Sequence, residues 1–76
     1  MPHVIVKLYP GRSEQKKAQL AADITKALIA NVDCADESVS IGIEDVTPED
    51  WAEKVYKPDI LAHPERLYKK PGYKPS

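Results

Sequence analysis

Apolar and polar positions alternate in two stretches of this chain and recur at helical spacing between them. From His3 to Tyr9, Val4, Val6 and Leu8 point one way and His3, Ile5, Lys7 and Tyr9 the other. This is the two-residue period of a β-strand, with β-branched residues concentrated inside. Pro10-Gly11 stops it. Ser13 then stands as an N-cap, Glu14 suits the positive end of a helix, and Leu20, Ala21, Ile24, Ala27 and Leu28 share one face. The spacing predicts a helix over 14–31, with Lys16, Gln19, Asp23 and Lys26 on its solvent side. After the turn-rich "DCADES", alternation returns in "SVSIGIEDV", placing Val39, Ile41 and Ile43 on one face and Ser38, Ser40, Gly42 and Glu44 on the other.

Strand, long helix and strand make a β-α-β unit, whose right-handed crossover sets the two strands parallel. The expected fold class is α/β, with an open face and open edges on the sheet. Parallel sheets are normally covered on both sides, so the missing cover is expected from another copy of the chain. In "TPEDW", Thr47 stands at an N-cap, Pro48 at the first helical position and two acids in the first turn, which predicts a short helix carrying Trp51. Beyond it, "YKPDILAHPERLYKKPGYKPS" is broken by prolines and is expected to form one or two single helical turns and a loose end. This end is a candidate lid or oligomer contact rather than a second domain. A single domain over 1–76 follows, its core at 2–51 and its helical turns and tail at 52–76.

Composition narrows what such a fold can do. A chain of 76 residues buries only roughly 60% of the surface its unfolded form exposes, too little to shelter a dry pocket alone. Hydrophobic residues at 42%, charged residues at 30% and a formal net charge of -1 describe an ordinary soluble protein and argue against nucleic acid or an anionic membrane as partner. The start lacks the basic and apolar regions of a signal peptide, and no apolar run approaches spanning length, so a cytoplasmic location is expected. Cys34 is the single cysteine and has no metal-site spacing to His3 or His63. It reads as a packed or surface thiol. In the tail, Arg66, Lys69, Lys70 and Lys74 interleave with Tyr68 and Tyr73 and read as a solvated basic end.

Pro2 ahead of the first strand, "PGRS" with Arg12 ten positions after Pro2, the helix "EQKKAQLAADITKAL", the strand "SVSIGIEDV" and the aromatic Trp51 stand in one register over about fifty positions. Together they resemble the 4-oxalocrotonate tautomerase family, and the ending "KKPGY" is similar to its longer-tailed PptA-type members. The resemblance implies an isomerase without a cofactor or metal, in which loss of Met1 leaves Pro2 as a free N-terminal amine and general base. An unperturbed α-amino group titrates near 7.7 to 8.0, and a nearby cation or a dry wall pushes it down toward the operating pH. Arg12 is the implied cation and carboxylate anchor, held bidentately as lysine cannot manage, and Trp51 is the implied wall. His3, next to the base, reads as a strand residue at a subunit contact.

One position departs from the family pattern. Its founding members carry a second arginine where this chain has Ser40, and Arg12 and Arg66 are the only arginines here. A substrate with two carboxylates therefore loses a partner, and a buried unpaired carboxylate is costly. The expected substrate is a 2-oxo monocarboxylate such as phenylpyruvate in its enol form, with Ser40 giving one neutral hydrogen bond. Two alternatives stay open: a binding or assembly module on the same frame, and a dehalogenase or decarboxylase using the same proline, for which Glu49 and Asp50 are nearby carboxylates. The expected assembly is a homodimer, with a hexamer as the alternative.

Overall fold

The computed structural model describes residues 1–74; Pro75 and Ser76, the end of the expected tail, lie outside the described residues. The chain forms two compact units that divide between Asp45 and Val46. In the first, β1 (His3–Leu8) is followed by α1 (Glu14–Val32), a 3-10 turn (Asp36–Ser38) and β2 (Ser40–Asp45). The two strands are parallel and paired from His3 with Ser40 to Leu8 with Asp45. The α/β class and the β-α-β order are those the alternation predicts.

The ends differ for local reasons. Ser38 and Val39 use their N–H groups on the carbonyls of Ala35 and Asp36, both at 3.1 Å. Ser40 is thus the first residue whose N–H reaches β1, and Ser38 and Val39 fall outside the strand. The start of α1 is as read: the Ser13 hydroxyl accepts the Lys16 N–H at 3.1 Å. Its end is Asp33, whose left-handed backbone (φ 56°) stops the winding.

The helix is rolled relative to the expected stripe. Ala21, Ile24 and Leu28 are half-buried as read, but Leu20 and Ala27 are exposed, and Lys17 and Thr25 are drawn in instead. Lys17 is met there by an ion pair. Lys17 Nζ lies 3.0 Å from Asp45 Oδ2 at the end of β2, and the lysine side chain is left 15% exposed. Periodicity counts apolar residues only, so it has no means of seeing a lysine whose stem packs and whose ammonium is met by a carboxylate.

The sheet has two different sides. Val4 beside Ile41 and Val6 beside Ile43 are half-buried on one, while the other carries His3 beside Ser40, Ile5 beside Gly42 and Lys7 beside Glu44. Ile5 remains 57% exposed there. A Cβ built on Gly42 meets nothing within 4 Å.

The second unit begins with α2 (Pro48–Trp51), which runs without a break into a wide π-type helix (Ala52–Leu61), then a 3-10 turn (Pro64–Arg66). The expectation of isolated single turns is corrected by this continuous run. Pro58 lies inside it. A proline removes one N–H and crowds the carbonyl four residues back, which ends an ordinary α-helix. Here the ladder closes over five residues instead, as the Ala62 N–H on the Lys57 carbonyl at 3.1 Å demonstrates. Thr47 caps α2 through its carbonyl, which accepts the Asp50 N–H at 3.0 Å, and not through its side chain. Val46, Val55 and Tyr56 are the buried hydrophobic residues among the described residues. No helix among the described residues is long and apolar enough to cross a membrane.

Candidate active site

Pro2 lies just ahead of β1, and its carbonyl accepts the Ser40 N–H at 3.2 Å, so the ladder between the strands begins at the proline. Met1, the residue before it, is 98% exposed. The in-register pairing also sets His3 beside Ser40, where His3 Nδ1 and Ser40 Oγ are 2.6 Å apart. Ser40 thus holds the N-terminal segment twice, by its backbone to Pro2 and by its side chain to His3. A serine hydroxyl has one proton and two lone pairs. When His3 Nδ1–H is the donor, that proton stays available to a ligand; when the hydroxyl donates to Nδ1, only acceptor capacity is left.

Arg12 sits beyond the other end of β1. Gly11 before it has φ 124°, a backbone that side chains rarely adopt, and so the loop turns sharply into Arg12. The guanidinium is exposed and its Nη1 donates to the Tyr9 carbonyl at 3.2 Å. Among the described residues it meets no carboxylate. Its remaining donors suit a carboxylate from elsewhere. The six residues of β1, at about 3.3 Å each, put about 20 Å between the Pro2 end and the Arg12 end of the strand. One small acid cannot touch both within one chain.

Trp51 closes α2 in the second unit. Its indole Nε1–H donates to the Tyr73 hydroxyl at 3.0 Å. The Tyr73 ring stands edge-on to Tyr56, with centroids 5.7 Å apart and planes at 60°. Of the sequence candidates, Pro2, His3 and Ser40 are brought together, Arg12 is at the far end of β1, and Trp51 belongs to the second unit. Asp50 is met by Lys54 Nζ at 3.2 Å and Glu49 is exposed. Cys34 is a half-buried free thiol. The sequence places Tyr73 in a solvated basic end because it sits among lysines and prolines. An aromatic one residue after a Pro-Gly turn was the available signal, since such a turn sends the chain back on itself.

A parallel β-α-β unit with a proline at the head of its first strand, an exposed arginine after that strand and an aromatic after the second is the pattern of a tautomerase class of enzyme. The family model for tautomerase enzymes matches residues 2–55, and the chain belongs to this family. It is 42% identical over 73 residues to a probable tautomerase of Xylella fastidiosa (strain 9a5c), covering 96% of this chain and 89% of that protein. It is 42% identical over 74 residues to Tautomerase PptA of Escherichia coli O139:H28, covering 96% and 97%. The crystal structure of TomN, a 4-oxalocrotonate tautomerase homologue in the tomaymycin biosynthetic pathway, matches with a TM-score of 0.63 and 34% identity over 66% of this chain and 77% of that one. A 4-oxalocrotonate tautomerase isozyme from Methylibium petroleiphilum matches with a TM-score of 0.61 and 29% identity over 63% and 75%. The protein is therefore an isomerase of the tautomerase type.

Proposed function

We propose that this enzyme moves a proton between oxygen and carbon of an enolised 2-oxo monocarboxylate of the phenylpyruvate kind, with the amine of Pro2 as general base once Met1 has been removed. The observation that carries this is the setting of Pro2. Its carbonyl is tied to Ser40 at 3.2 Å while the residue ahead is 98% exposed, so removal of Met1 frees the nitrogen without breaking the packing that aims it. The neutral amine takes the enol O–H proton, the O–H electrons form the new C=O, and the C=C electrons take up at C3 the proton that the amine then returns. Arg12 grips the carboxylate, and Trp51 faces the aryl or alkyl end. Ser40, engaged with His3 at 2.6 Å, offers at most one neutral hydrogen bond. That supports a substrate with one carboxylate.

The span of about 20 Å along β1 supports a site assembled from two copies, Pro2 of one and Arg12 of another. A homodimer is the simplest closed assembly that does this, with a hexamer as the larger one. The exposed Ile5 and the bare Gly42 on the open side of the sheet are surface such an assembly can cover. We take the whole chain as one such domain, its core over 2–51 and its tail over 52–76.

The test is the rate of phenylenolpyruvate ketonisation against pH. The mature enzyme is expected to gain activity with rising pH as the amine becomes neutral. Pro2→Ala should lose most of that rate, and a form retaining Met1 should lose all of it, because an amide nitrogen has no usable lone pair. Full activity in a protein whose intact mass includes Met1 overturns the assignment.

A further inference from the structure

Trp51 is the sole tryptophan of the chain, and an indole carries one hydrogen-bond donor and no acceptor. That donor is taken by the Tyr73 hydroxyl at 3.0 Å, across 22 positions of sequence. Tyr73 is itself seated on Tyr56, 5.7 Å away edge to face, and Tyr56 is one of the buried residues of the second unit. A residue from the proline-broken tail is thereby anchored to the buried centre of its unit and holds the indole by its polar edge. An indole whose N–H is already engaged has only its ring to offer a ligand. Tyr73 accepts there and keeps its own proton, so what the hydrogen bond sets is the direction in which the indole edge points.

We infer that Tyr73 is a specificity-determining positioning residue, which holds the Trp51 indole by its N–H edge so that the wall meets an aryl or alkyl substrate end with its ring. This rests on the assignment of Trp51 to the substrate wall. It makes the last turn of the described chain part of the enzyme's selectivity rather than a trailing end. Tyr73 acts through Trp51 and touches no reacting atom.

The decisive variant is Tyr73→Phe, which keeps the ring and its seat on Tyr56 and removes only the hydroxyl. Two readouts apply: the fluorescence of Trp51, which has no other tryptophan to mask it, and kcat and KM for phenylenolpyruvate against the enol of a 2-oxo dicarboxylate. Expected are a shifted emission maximum and a rise of about two- to tenfold in KM for phenylenolpyruvate, the loss of one neutral hydrogen bond. The kcat should stay nearly unchanged and the KM for the dicarboxylate should not rise. In a Trp51→Phe background the same Tyr73→Phe change should have no further effect on KM, since the two residues act as one unit.

Unchanged emission and unchanged discrimination in Tyr73→Phe overturn the inference. So does a KM effect of the same size when Trp51 is already phenylalanine. If Tyr73→Phe shifts the emission while Trp51→Phe alone leaves discrimination intact, the failure lies in the assignment of Trp51 to the wall, and the inference falls with it. If the wild-type enzyme ketonises neither enol, the failure lies in the proposed reaction itself.

Discussion

A glycine decides where the arginine stands. Gly11 holds φ 124°, and a Cβ there would meet no neighbour within 4 Å, so the whole penalty of replacing it is in the backbone. An alanine forced into that region costs about 1 to 3 kcal/mol, or the loop relaxes to a new path and takes Arg12 with it. Gly11→Ala should therefore lower kcat/KM for phenylenolpyruvate by about tenfold or more, mostly through KM, since carboxylate binding is what a displaced guanidinium loses. Stopped-flow or steady-state ketonisation checks this, with Arg12→Ala as the reference for complete loss of the anchor. A Gly11→Ala enzyme with wild-type KM shows that the Gly11 backbone does not set the arginine's position.

At the scale of elements, α1 depends on its start. The Ser13 hydroxyl satisfies the Lys16 N–H, and Lys17, one residue on, carries the ion pair to Asp45 at the end of β2. Ser13→Ala should cost about 1 kcal/mol, read as a lower melting temperature at fixed protein concentration. Lys17→Met keeps the packed stem and removes the ammonium. It should cost no more than about 1 kcal/mol, because Asp45 is well exposed and can return to water. The cap was legible in the sequence, as were both strands and the extent of the helix to within a residue, because each rests on local spacing. The inward place of Lys17 on α1 was not, because its partner Asp45 lies 28 positions away. The π-type continuation past Pro58 was not legible either, since a proline reads locally as a stop and only the finished ladder reveals a wider turn.

At the scale of the whole molecule, the two-stranded sheet is unfinished and its site residues are divided. Pro2, Arg12, Ser40 and Trp51 are candidates through the family resemblance that the sequence carries, but which of them share one neighbourhood could not be read there. Alternation alone leaves the pairing of two parallel strands free to slide by two residues, and only the observed register sets His3 against Ser40. The distance along β1 between Pro2 and Arg12 has a genetic consequence. On the proposed two-copy site, Pro2→Ala and Arg12→Ala are each expected to disable every site when expressed alone. Coexpressed, they are expected to form hybrids in which one site unites the intact Pro2 of one chain with the intact Arg12 of the other, while the second site collects both defects. Random pairing of equal amounts into two-fold dimers should restore about a quarter of wild-type turnover. The two defects carried on one chain, mixed with either single variant, should restore none, so complementation between separately dead copies would be a property of the strand's length.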